Sequence, residues 1–149
     1  MLISQVKEVL ANLVSFRTVS SESNLDCIGF IERYFIQLGA RCWVQYDDTF
    51  RKANLLESVG PAVPGGILLS GHTDVVPVEG QDWARDPWTA VDDRIYGRGT
   101  TDMKCYLAIM MVAATEASAR NLKRPLHFSF SYDKEVGCEP PRLYRRPFG

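Results

Sequence analysis

Apolar residues near the start of the chain recur at helical spacing. Val6, Val9, Leu10, Leu13 and Val14 fall on one stripe of residues 4–16, with Ser4 placed to cap the first free N–H groups. Leu25, Ile28, Ile31, Phe35 and Leu38 repeat the pattern after a mostly polar turn, residues 18–24, and Gly39 suits the C-terminal cap of that second helix. The period then changes. Residues 41–46 and 53–58 are short runs separated by Asp47, Asp48 and Thr49, and they predict two strands. Residues 65–71 form a compact apolar run bounded by glycines, the pattern of a central strand covered on both faces. Further on, Leu126, Phe128, Phe130 and Tyr132 alternate with His127, Ser129 and Ser131 in another strand.

Between these last two strands lie a polar loop over residues 73–93, the Gly97-Arg98-Gly99 turn and a strongly apolar helix over about residues 103–119. Strand, helix, strand predicts a right-handed crossover. The alternation as a whole predicts the α/β class, with a mixed, mostly parallel central sheet between helix layers. The most apolar stretch, residues 105–114, is about half the ~20 residues that a bilayer crossing needs, so it reads as a buried helix.

Charge narrows the partners. Seventeen basic and eighteen acidic side chains leave a net charge of -1, with no surplus of cations to neutralise a phosphate backbone, so nucleic acid is not expected as a partner, and the short apolar stretch argues likewise against a membrane. The first residues carry no apolar core and small-residue cleavage site of the secretory kind, and a cytoplasmic location is expected. In that compartment Cys27, Cys42, Cys105 and Cys138, which form no Cys-x-x-Cys pair, are expected as free, buried thiols.

Candidate chemistry collects where strands end. His72 and Asp74 follow the predicted central strand, the end at which ligands gather in open α/β sheets, and an Asp two residues on can hold the second ring nitrogen of a metal-ligating His. Asp102 opens the apolar helix, where it either bridges two cations or caps the helix. Glu135 follows the last strand inside Asp133-Lys134-Glu135, which alone reads as a solvated charged turn. The inferred topology brings His72, Asp102 and Glu135 to one rim. Arg98 reads as a support for its loop, Trp83 and Trp88 as packing of the long loop onto the sheet, and His127 as a hydrogen-bonded histidine outside the site.

Several separated motifs carry a more specific resemblance: Ser70-Gly71-His72-Thr73-Asp74-Val75-Val76-Pro77, Gln81-Asp82-Trp83, Asp86-Pro87, Tyr96-Gly97-Arg98-Gly99-Thr100 and Phe130-Ser131-Tyr132-Asp133. In this order they resemble the acetylornithine deacetylase and succinyl-diaminopimelate desuccinylase family of co-catalytic zinc amidohydrolases, over about residues 10–138, and its deacetylase branch above all. The resemblance implies a zinc-exopeptidase-like three-layer αβα catalytic domain. It further implies two zinc ions, with cobalt as a substitute, His72 ligating one, Asp102 bridging both, Glu135 ligating the second, and Asp74 orienting His72. The implied reaction is hydrolysis of a small N-acyl amino acid, for the deacetylases N-acetylornithine to ornithine and acetate, a step of arginine biosynthesis.

The chain departs from that pattern in three ways. Lys134 stands where the family carries its proton-shuttling Glu, and an ammonium cannot take a proton from water. Asp133 is the neighbouring carboxylate that would have to replace it. Cys105 stands where the family has Gly. The family's chains are more than twice as long, so the resemblance implies a truncated catalytic domain at residues 1–138, an incomplete metal site and an irregular Pro/Arg-rich tail at residues 139–149. It also implies no second, dimerisation domain and hence no family-type homodimer. Two alternatives remain open at this point: a non-catalytic α/β remnant with weak metal binding, and a related desuccinylase or dipeptidase.

Overall fold

The computed structural model describes residues 2–89 and 95–137; Cys138, the 139–149 tail and the end of the long loop lie outside them. Helices α1 (Leu2–Ser15) and α2 (Leu25–Gln37) precede strands β1 (Arg41–Tyr46), β2 (Ala53–Val59) and β3 (Ile67–His72), and helix α3 (Cys105–Ser118) leads to β4 (Leu126–Ser131). α1 already runs from Leu2, so Ser4 sits inside it rather than capping it. α2 ends as expected, with Gly39 at φ +71° just beyond its cap.

The four strands form one sheet in the order β1-β2-β4-β3. β1 and β2 are antiparallel, as are β2 and β4, whereas β3 runs parallel to β4. The class is therefore α/β with a mixed sheet, and its balance here is two antiparallel pairs to one parallel. β3 is not central among the described strands: it lies at the edge, with Ile67 and Leu68 62% and 53% exposed. Its apolar run has the composition of a strand covered on both faces, but composition does not say which neighbours supply the cover.

One face of the sheet carries the core. Phe128 and Phe130 of β4 point to the helices and meet Phe35 of α2 at ring-centroid distances of 5.1 and 5.7 Å. Leu55, paired with Phe130, is fully buried on the same face. α3 lies so close to β3 that a Cβ on Gly71 would come within 2.5 Å of Leu107. α1 contributes Leu10, Leu13 and Val14 to the same cluster. α3 is apolar nearly all round and correspondingly buries seven side chains. Among the described residues no helix is long and apolar enough to cross a membrane.

The parallel β3–β4 pair sets where chemistry can gather. Because both strands run the same way and His72 pairs with Ser131, the residues after His72 and after Ser131 leave the sheet at one rim.

Candidate metal centre

The rim is laced by a buried polar network. Thr73 follows β4 for one more step through its N–H to the Ser131 carbonyl at 2.7 Å. The loop between α1 and α2 runs beneath it: Val19 bridges Val75 in parallel, and the Thr18 hydroxyl donates to the Thr73 carbonyl at 2.6 Å. Asn24 donates to the Ala53 carbonyl at 2.9 Å and to the Thr73 hydroxyl at 3.0 Å. Thr18, Ser20, Asn24, Thr73 and Asp74 are all buried, and every one has a partner, which is the condition for polar groups to persist in a core.

Asp74 is the hub. Its carboxylate accepts the Ser20 hydroxyl at 2.7 Å, the Lys134 N–H at 3.2 Å and the Glu135 N–H at 3.0 Å. Burial alone would push its pKa up, but the His72 ring and these donors outweigh it and hold the pKa down at about 2. Asp74 grips His72 twice: Nδ1 lies 2.9 Å from the Asp74 backbone carbonyl and 3.3 Å from Oδ1. The expected orienting contact is present, and the backbone oxygen is its shorter arm.

With Nδ1 committed to oxygen acceptors, Nε2 faces the open rim. Asp102 Oδ1 lies 3.0 Å from it and Glu135 Oε1 4.0 Å. Burial disfavours the charged ring, yet the Asp74 and Asp102 acceptors raise its pKa above the ordinary value. A neutral imidazole has one N–H, so it cannot donate to oxygens on both sides at once. The second side calls for a proton or a cation.

Asp102 reaches this position on a segment that is not a regular helix. Gly99 stands at φ +81°, and a Cβ there would come within 2.7 Å of Val75, so glycine is required at this turn. Asp102 itself has φ -120° and ψ 99°, and the Asp102–Met103 peptide is cis. α3 itself starts at Cys105, two residues later than the spacing predicts, and among the described residues it has no side-chain cap from Asp102. Behind the turn, fully buried Lys104 donates to the Phe16 carbonyl at 2.6 Å, and burial lowers its pKa to about 8.

His72, Asp102 and Glu135 each offer one ligand atom, all within 4.8 Å of one another. One imidazole nitrogen and two carboxylate oxygens so close together suit a single zinc-type cation, whose ligands lie about 2.0–2.2 Å from the metal. The donor set therefore fits one metal of the kind the resemblance implies. A cleft of about 250 Å3, lined by Val76, Arg98, Thr101, Asp102 and Glu135 among others, opens beside it.

The remaining residues sort themselves by geometry. Asp133 adopts a left-handed φ of +60° and turns its carboxylate to the Lys52 ammonium at 2.6 Å, away from the site, so it does not replace the missing base. Lys134 points the other way, with Nζ 3.5 Å from Asp102 Oδ2 and 3.6 Å from Glu135 Oε2. Arg98 supports its loop, reaching Gln81 and the Pro77 carbonyl, with its guanidinium 5.0 Å from the Trp83 ring centre. The two loop tryptophans pack against cations, Trp83 against Arg98 and Trp88 against Arg17 and Lys104. His127 Nε2 sits 3.3 Å from the Gly65 carbonyl, at the far end of its strand from the rim. Of the described cysteines, Cys27 is buried while Cys42 and Cys105 are half-buried, and all three are free thiols.

The α/β fold and this rim are those of a metal-dependent hydrolase domain. The sequence matches Peptidase family M20/M25/M40 over residues 68–143, and the chain belongs to that family. It is 38% identical to the acetylornithine deacetylase of Klebsiella pneumoniae over 126 residues, which are 83% of this chain and 33% of that protein. Among solved structures it resembles the M20 metallo-carboxypeptidase Sso-CP2 of Sulfolobus solfataricus, with a TM-score of 0.78 at 20% identity over 90% of this chain and 32% of that one. It likewise resembles the dipeptidase Dug1p of Saccharomyces cerevisiae, with a TM-score of 0.70 at 26% identity over 93% and 34% of the two chains. The chain thus spans about a third of the length of these relatives.

Proposed function

We propose that this chain is the metal-holding part of an N-acyl amide hydrolase, with N-acetylornithine as the substrate and zinc as the metal. The observation that carries the reading is the convergence of His72 Nε2, Asp102 and Glu135 within 4.8 Å. A bound zinc-type cation supplies Lewis acidity toward an acyl carbonyl and toward water. His72 would hold it through Nε2, with Asp74 fixing the tautomer by occupying Nδ1. Asp102 and Glu135 would supply the anionic oxygens, the first exposed to incoming substrate and the second largely sheltered. Deacetylation rather than another amide cleavage is favoured by the 38% identity to a deacetylase.

Proton transfer is where this chain is weak. Desolvation lowers the Lys134 pKa, but the Glu135 and Asp102 carboxylates together outweigh it and raise the pKa above the ordinary lysine value, so the side chain is an ammonium at neutral pH. This favours a second reading, in which the chain binds metal and turns over little. The two are separated by measuring acetate release from N-acetylornithine, with saturating zinc, for the parent chain, Lys134→Glu and His72→Ala. A general base contributes roughly 10²–10⁴-fold, so Lys134→Glu is expected to exceed the parent by at least a hundredfold, with His72→Ala at background. Zinc-loaded Lys134→Glu that stays at the His72→Ala background would sink the hydrolase reading and leave the metal-binding remnant.

A further inference from the structure

Lys134 does more than stand in for a lost base. Asp102 and Glu135 each turn one oxygen toward His72 Nε2, at 3.0 and 4.0 Å, and the other toward Lys134 Nζ, at 3.5 and 3.6 Å. The ammonium therefore spans the same two carboxylates that a metal would need. Its backbone N–H is meanwhile bonded to Asp74 at 3.2 Å, so the residue is tied to the site through its backbone as well.

We infer that Lys134 is an internal competitor of the metal, an ammonium that claims the oxygens of Asp102 and Glu135 and so sets the affinity of the site for a divalent cation. The inference rests on the proposed metal site. Two effects act in the same direction. Metal entry breaks or weakens two charge-assisted contacts, and it places a divalent cation close to a tethered positive charge. The side chain is 44% exposed, so it can swing into water, and solvent screens part of the repulsion. The competition is thus a matter of degree and does not exclude metal altogether. It also acts on binding, a step separate from the proton transfer that a glutamate at this position would provide.

The test is titration of zinc chloride into the metal-free chain by calorimetry, beside Lys134→Met, which keeps length and removes charge, and Lys134→Arg, which keeps charge. Lys134→Met is expected to bind zinc at least tenfold more tightly than the parent, and Lys134→Arg within threefold of it. Parent and Lys134→Met binding within threefold of each other would overturn the competition while leaving the metal site standing. Equal tightening by Met and Arg would overturn it too, because charge would not be the cause. Zinc binding by none of the three chains would instead remove the metal-site reading itself. Melting temperatures taken in a chelator guard against misfolded variants, and both substitutions, at a half-exposed side chain, are expected to leave a cooperative transition.

Discussion

Two carboxyl groups, both buried, are treated in opposite ways by this protein. Asp74, 2% exposed at the rim, collects a hydroxyl, two backbone N–H groups and an imidazole, and stays ionised with a pKa near 2. Glu57, 0% exposed in the middle of β2, has neither oxygen within hydrogen-bond geometry of a donor among the described residues. Burial lifts its pKa to about 8, the Glu32 charge adds to the lift, and only the Cys42 thiol on the paired strand draws it down. The same functional group is thus an anion in one place and a neutral acid in the other. Burial does not decide the charge; the supply of donors does.

Removing the better-served group should do the most damage. Asp74→Ala strands the Ser20 hydroxyl and two backbone N–H groups, and is expected to cost about 4 kcal/mol by denaturant unfolding of the metal-free chain. A loss under 1 kcal/mol would show that the hub is not structural. Glu57 should behave in reverse. Its folded pKa is raised above the unfolded value of 4.5, so the folded state holds its proton longer, and stability declines as pH rises from about 4.5 to about 8. Glu57→Met removes that acid without leaving a polar orphan. It is expected to be more stable than the parent by about 2 kcal/mol at pH 8.5 and to flatten the decline; an unchanged slope would refute the neutral-acid assignment. Smallest is Ser20→Ala, which takes one donor of several from Asp74 and is expected to cost about 1 kcal/mol, with zinc affinity reduced less than by Asp74→Ala.

Strand ends and apolar periods made much of this legible in the sequence. β1 falls at residues 41–46 as the pattern predicts, and His72, Asp102 and Glu135 meet because the two strands that frame the crossover are parallel and end together. The network under them was not legible. Thr18, Ser20 and Asn24 read as an ordinary polar turn, because nothing local reveals that a turn will be buried beneath a strand end 49 to 55 residues away. Glu57 reads as one more strand position, since a single carboxylate in a short run of mixed polarity does not disclose whether donors await it. The opposed directions of Asp133 and Lys134 depend on a left-handed backbone step at Asp133, a conformation that a non-glycine residue adopts only in a particular tertiary setting.

The N–H that Lys134 gives to Asp74 belongs to the backbone, so any residue except proline would give it equally well. Scaffold and charge at this position are therefore inherited separately. A lysine codon becomes a glutamate codon by a single base change, and such a change reverses the charge over the site while leaving that backbone contact to Asp74 in place. In evolutionary terms position 134 is constrained through the carboxylates its side chain faces rather than through its backbone contact, a place where the chemistry of the rim can be lost or regained in one step.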